Sequence, residues 1–208
     1  PKGADRTHGF LAAQHAALAA SVPFDEGDVD LPVFPVFSLN NLAAGVTTVL
    51  PNVNLAAPGP KDGERLLEQL RSVNPTCSTL SPSLLRAVIA GVGPGGGNSS
   101  LRRVVTGGAP VGRQDADAFA AAVPGVELHI LYGSTEVEPI AHLLASEMPP
   151  EGTEGVCLGH PSEALDIRFI RPTRRRGRGC ETPFAWLARW GSARSAPCRV
   201  CRQARPMT

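Results

Sequence analysis

The amino-acid sequence predicts an α/β fold, with a mostly parallel sheet and flanking helices. Three observations predict it. Short β-branched or apolar runs recur along the chain, notably at 46–50, 102–106 and 126–131. Segments with apolar residues at helical spacing lie between them, clearest in Leu66, Leu67, Leu70 and Val73. The spacers are long enough to cross back over a sheet, as parallel neighbours require.

The elements follow in chain order. Thr7 is a candidate cap for a helix beginning near His8, with Phe10, Leu11 and Leu18 on its apolar side. Val29 to Phe34 is a short apolar run broken by Pro32, and Val46 to Leu50 is a strand that stops at Pro51. Gly63 to Val73 is a helix, and Thr76 to Leu80 a short strand. Pro82 opens a helix through Ala90 that Gly91 ends. Gly93 to Ser100 is a Gly-rich loop. Arg102 to Thr106 reads as a strand, Arg113 to Val123 as a helix, and Val126 to Leu131 as a strand. Pro139 to Leu144 and Leu165 to Ile170 are further strands. In open parallel sheets ligands bind beyond the carboxyl ends of the strands. That rule singles out the loops 106–112 and 132–138.

Charge divides the chain in two. Residues 1–173 carry 11 Lys or Arg against 18 Asp or Glu, whereas residues 174–208 carry nine Arg against the single acid Glu181. The second part also holds both tryptophans and three of the five cysteines, with no Lys, Ile, Asp, Asn, Tyr or His. Arg, Ala, Pro, Gly, Cys and Trp are what a GC-rich gene yields out of frame. The expectation is therefore a partial domain at 1–173 and an irregular, disordered tail at 174–208, with the frame lost near Thr173. Trp186, Leu187 and Trp190 fall at helical spacing within that tail, but the surrounding sequence supports a helix poorly. Pro1 in place of Met points to a cut upstream.

Composition also excludes several functions. No run of about 18 apolar residues offers a membrane span, and no signal peptide opens the chain. An odd cysteine count gives no disulfide framework, and a cytoplasmic location is expected. A basic tail is a reason to consider nucleic acid, but the absence of Lys and the irregular composition argue against that partner. Gly95–Gly97 lacks a following Lys-Ser/Thr, Cys198 and Cys201 have no second pair, and no Gly-x-Ser-x-Gly occurs. The five histidines show no metal-ligand spacing, and Cys77 and Cys157 read as small apolar core residues.

Four segments carry chemistry. Pro1-Lys2-Gly3 places a cation beside a tight backbone, as a phosphate-binding loop needs. Leu31 to Ser38 (Leu-Pro-Val-Phe-Pro-Val-Phe-Ser) precedes Gly45 to Leu50 (Gly-Val-Thr-Thr-Val-Leu); an ordinary strand and turn explains it equally well. Thr106 to Pro110 (Thr-Gly-Gly-Ala-Pro) lets a flat ligand approach the backbone, or is a plain strand-to-helix turn. Leu131 to Glu136 (Leu-Tyr-Gly-Ser-Thr-Glu) joins an aromatic face, hydroxyls and a carboxylate, and Gly155 to Pro161 follows. Together, in this order, they resemble the adenylate-forming, AMP-binding superfamily of acyl-CoA synthetase type over about residues 1–173. The texture is most similar to the acyl-AMP ligases of olefin biosynthesis, the β-lactone synthetases.

The resemblance implies the fold of part of the large N-terminal domain. It implies an ATP-dependent ligase that makes acyl-AMP and pyrophosphate from a fatty or β-hydroxy acid. The acyl group then passes to coenzyme A or closes a lactone. It implies roles for Lys2 at the phosphates, and for Gly107, Gly108, Ala109 and Pro110 beside adenine. Tyr132 would pack on adenine, with Gly133 and Ser134 beside it. Thr135 would bond the α-phosphate and Glu136 would hold Mg²⁺. Many members carry a His where this chain has Phe37 and Ser38. The segments with the ribose-binding Asp and the catalytic Lys are not matched, so a non-catalytic product is the alternative.

Overall fold

The computed structural model describes residues 4–54, 60–92, 100–150, 155–170 and 185–190. A seven-stranded sheet is the frame. Its strands are β1 (Val29–Pro32), β2 (Thr47–Thr48), β3 (Cys77–Leu80), β4 (Arg103–Gly107), β5 (Glu127–Ser134), β6 (Val137–Leu144) and β7 (His160–Pro161). The order is β2-β1-β3-β4-β5-β6-β7. The first five strands are parallel neighbours, while β6 and β7 add antiparallel pairs. The sheet is thus mostly parallel with flanking helices, as the sequence predicts.

Helices cover both faces. The helices α1 (His8–Ser21) and α2 (Pro35–Ala44) lie on one, α3 (Pro60–Val73), α4 (Pro82–Val92) and α5 (Arg113–Ala122) on the other. Strand alternation produces this division. Val105 and Leu131 pack with Leu18, Val22 and Phe37 on the first face. Val104, Leu128 and Ile130 pack with Leu66, Leu85 and Phe119 on the second. Burying such side chains is worth roughly 1.5–3 kcal/mol each.

Local chemistry sets the helix ends. Thr7 caps α1, its hydroxyl accepting from the Phe10 N–H at 3.2 Å. The helix α2 replaces the strand and turn expected around Leu31–Ser38, and the strand there ends at Pro32. Pro35 sits in its first turn and Gly45 closes it in the left-handed region at φ 69°, the usual Pro-start and Gly-stop asymmetry. Gly91 does not end α4, which runs on to Val92. A Cβ there would lie 2.6 Å from the Leu67 side chain, and one at Gly63 2.6 Å from Ala87. The two glycines therefore let α3 and α4 approach closely.

Two other expectations change. Residues 132–138 are not a loop: β5 runs to Ser134, β6 starts at Val137, and only Thr135 and Glu136 turn between them. Within the Arg-rich tail, expected to be irregular, β9 (Ala185–Trp190) pairs antiparallel with β8 (Leu165–Ile170), from Leu165 opposite Trp190 to Ile170 opposite Ala185. The aromatic Trp186 and Trp190 suit a strand as well as a helix. Lys2, most of the Gly93–Ser100 loop, and the tail apart from β9 lie outside the described residues.

Candidate active site

The site forms where β4 and β5, neighbouring parallel strands, end beside the β5–β6 turn. A cavity of about 540 Å³ opens there. Phe34, Val36, Phe37, Val105 and Leu131 form its apolar wall. Arg6, Ser134, Thr135, Glu136 and Glu138 supply polar groups. An apolar cavity with a few convergent polar groups is the usual form of a small-molecule site.

Backbone demands account for the glycines. Gly107 pairs with Leu131 across the β4–β5 ladder. A Cβ on Gly107 would lie 2.3 Å from the Leu131 carbonyl oxygen. Glycine is thus required there by strand packing rather than by ligand approach alone. Gly108 has φ +81° and turns the chain out of the sheet. At Gly133 a Cβ would meet Glu138 at 3.1 Å and the Val137 carbonyl at 3.2 Å, so this glycine lets the hairpin close.

The fold brings together six of the residues singled out in the sequence: Gly107, Gly108, Gly133, Ser134, Thr135 and Glu136. Tyr132 does not line the cavity. It lies between Leu131 and Gly133, and strand alternation turns it to the opposite face. Ala109 and Pro110 are exposed in the segment after β4 and also lie outside the cavity wall. Phe37 stands in the apolar wall. The strand end therefore presents two surfaces, an apolar cavity on the α1–α2 side and Tyr132 on the other.

Sequence reasoning gave no role to Arg6 or Gln14, nor to the side chains of Thr106 and Glu138, although those two lie in the segments 106–112 and 132–138 that it singled out. The Arg6 guanidinium donates to the Thr135 carbonyl at 2.6 Å and to Gln14 at 3.3 Å. It also lies 5.5 Å from the Phe10 ring centre. Gln14, buried in α1, donates in turn to Glu138 at 3.3 Å. Burial raises the Glu138 carboxyl above its ordinary range, and Arg6 partly offsets this. The signal for Glu138 was an acid set between the apolar Val137, Pro139 and Ile140 at strand alternation. Thr106 is fully buried, and its hydroxyl has no hydrogen-bond partner among the described residues. No signal in the sequence distinguishes Arg6.

The donor set suits Mg²⁺. No group of three or more His, Cys, Asp or Glu side chains able to hold a metal exists among the described residues. Glu136, exposed at the turn, and Glu138 are the carboxylates that line the cavity. Mg²⁺ is commonly held by one or two carboxylates together with substrate phosphates.

Residues 1–174 match the family described as AMP-binding enzyme. The chain belongs to the AMP-binding enzyme family. It is 28% identical to the olefin beta-lactone synthetase of Stenotrophomonas maltophilia, over 82% of this chain and 31% of that protein. It is 30% identical to the namesake from Xanthomonas campestris pv. campestris, with the same two shares covered. The 4-coumarate–CoA ligase 1 of Oryza sativa subsp. japonica is 27% identical, over 88% of this chain and 34% of that enzyme. The chain thus spans about a third of the length of these AMP-binding relatives. In fold it resembles O-succinylbenzoate coenzyme A synthetase from Bacillus subtilis, solved with ATP and magnesium ion. The TM-score is 0.66 at 18% identity, over 95% of this chain and 40% of that one.

Proposed function

We propose that this chain supplies the acyl pocket and part of the nucleotide site of an ATP-dependent acyl-adenylate-forming ligase. One observation carries the reading. The Thr135–Glu136 turn divides an apolar cavity from the surface that bears Tyr132. The acyl chain of a fatty or β-hydroxy acid occupies the cavity between Phe34, Phe37 and Leu131. Adenine lies on the other side, against Tyr132 and the Gly108–Pro110 segment, with Lys2 at the phosphates. The carboxylate meets the α-phosphate at the turn, where the Thr135 hydroxyl donates to a phosphate oxygen. Glu136 would hold Mg²⁺, which neutralises phosphate charge when bound.

In the reaction a substrate carboxylate oxygen bonds to the α-phosphorus as the bond to the β-phosphate bridging oxygen breaks. Pyrophosphate leaves with that electron pair, and acyl-AMP remains. The residues present act mainly by positioning and by stabilising charge. The acyl group then passes to the thiol of coenzyme A or to the substrate's own hydroxyl, and AMP leaves with the electron pair of the acyl–phosphate bond. Similarity to both olefin beta-lactone synthetases and CoA ligases supports these two fates. We place the enzyme in the cytoplasm, and no described helix is long and apolar enough to cross a membrane.

Nucleotide binding tests the reading. The 208-residue chain should bind ATP more tightly with Mg²⁺ than without, and Glu136→Ala should abolish that gain. Binding indifferent to Mg²⁺, or a gain that survives Glu136→Ala, overturns it. The same reading treats residues 174–208 as lying outside the adenylation domain and read in a shifted frame. The family match over residues 1–174 supports this, although β9 pairs with β8. Translating all frames of the gene checks it, since an adenylation-type sequence should emerge in another frame beyond Thr173.

A further inference from the structure

Glu138 is not required by the adenylation chemistry described above. Its neighbourhood is unusual for a carboxylate. It lies on the cavity face of β6, because Leu131 pairs with His142 and even-numbered residues of β6 share that face. The cavity it lines has an apolar wall of Phe34, Phe37 and Leu131 and a polar side of Arg6, Ser134, Thr135 and Glu136. Among the described residues no cation bonds it directly. Its one protein hydrogen bond is from Gln14 to Oε2, leaving Oε1 without a donor among the described residues. Arg6 is near enough to act on its charge, but its bonds go to Thr135 and Gln14.

An acyl chain that fills the cavity displaces the water that can reach Oε1, which is costly unless the ligand itself donates to it. The hairpin also holds Glu138 firmly. A side chain on Gly133 would crowd its Cβ and Cγ, and Gln14 fixes one oxygen from the buried side of α1. Glu138 itself lines the cavity that the acyl chain would fill. A plain hydrocarbon tail does not satisfy its Oε1.

We propose that Glu138 is a specificity-determining residue that selects carboxylic acids bearing a hydrogen-bond donor, a hydroxyl or an ammonium, close to the carboxyl end. The proposal rests on the cavity being the acyl site. Arg6 and Gln14 are positioning residues: they hold the turn and the carboxylate in register, and the donor on the substrate bonds Glu138 Oε1. Sites built to bond a substrate donor discriminate strongly against analogues that lack it, because the protein group is then left unpaired.

The test measures binding of acids alone, without ATP, to the 208-residue chain. The probes are octanoic acid and its derivatives with a hydroxyl or an amino group at the α- or β-carbon. At least one donor-bearing acid should bind about tenfold more tightly than octanoic acid. Glu138→Leu should erase that preference while octanoic acid binds as well or better. Glu138→Gln separates the two donors. It keeps a neutral acceptor, so a hydroxyl preference is largely retained whereas an ammonium preference collapses. Thermal unfolding of each variant shows that the fold is kept. Equal affinity for all acids, no binding of any acid, or a preference that survives Glu138→Leu overturns the proposal. Mg²⁺-dependent ATP binding is measured separately, so loss of the adenylation reading is distinguishable from loss of this one.

Discussion

Arg6 donates to the main-chain carbonyl of Thr135 at 2.6 Å, joining the residue before Thr7 to the β5–β6 turn 129 positions away. The same guanidinium reaches Gln14 and stacks near Phe10. The planar fork of Arg can serve these partners together, and the point charge of Lys cannot. Arg6→Lys should therefore leave the thermal midpoint within a few degrees of wild type yet weaken Mg²⁺-dependent ATP binding severalfold. Equal nucleotide affinity in the two proteins would show that the tie does not position the turn.

Gly107 and Gly108 predict different outcomes for the same substitution. Gly107→Ala drives a Cβ to 2.3 Å from the Leu131 carbonyl, inside the β4–β5 ladder. Backbone cannot yield there without breaking strand pairing, and a loss of about 3 kcal/mol or more is expected. Gly108→Ala meets only Phe34 at 3.8 Å and must hold φ near +81°, a cost of about 1 kcal/mol. Urea unfolding of both variants checks the order.

Asp30 and Asn41 form a fully buried pair, with Asn41 donating to Asp30 Oδ2 at 2.7 Å. The other oxygen of each side chain has no hydrogen-bond partner among the described residues. Burial pushes the Asp30 carboxyl up to about 6 from 3.8. The stability that Asp30 contributes is present below 3.8 and is lost as pH rises through about 6. An amide at position 30 keeps an acceptor for Asn41 and carries no charge to desolvate. Asp30→Asn should stabilise the chain at pH 7 by about 1–3 kcal/mol. It should also remove the loss of stability between pH 3.8 and 6.

His129 and His142 stack with ring centres 5.0 Å apart and share a 2.9 Å contact between Nδ1 and Nε2. One nitrogen must donate and the other accept, so at least the acceptor ring is neutral. Burial lowers both pKa values below 6.5, with the neighbouring His129 and His160 adding to the effect at His142; Glu127 and Glu147 oppose it. The stabilisation is present above pH 6.5 and is lost as pH falls through the lowered values. Asp30 acts in the opposite direction over part of this range, so the comparison must be with a variant. His142→Gln should flatten the loss seen by urea unfolding between about pH 7.5 and pH 5.5. An unchanged slope would remove the pair from the pH dependence.

Cys77 is buried in β3, and burial raises its thiol to about 11. Thiolate is the reactive form. In the native chain Cys77 should resist alkylation at pH 8 and should react on unfolding. Mass spectrometry of the tryptic peptides reads this directly.

The sequence alone determined the α/β class, the order of most strands and helices, and the two segments at the ends of β4 and β5. Period and turn chemistry carry that information locally, in runs such as Val126–Leu131 or Leu66–Val73. The same local reading missed α2, although Pro35 and Gly45 mark its ends, because Phe-Pro-Val-Phe also suits a strand. It took residues 132–138 for a loop, because turn length depends on the pairing partner. Only the tertiary structure decided that Leu131 and Tyr132 face opposite sides of one strand end. Only it brought Arg6, Gln14 and Glu138 together, across 124 positions between Gln14 and Glu138. Such contacts are set by which helix covers which face of the sheet. No spacing within a single segment records that.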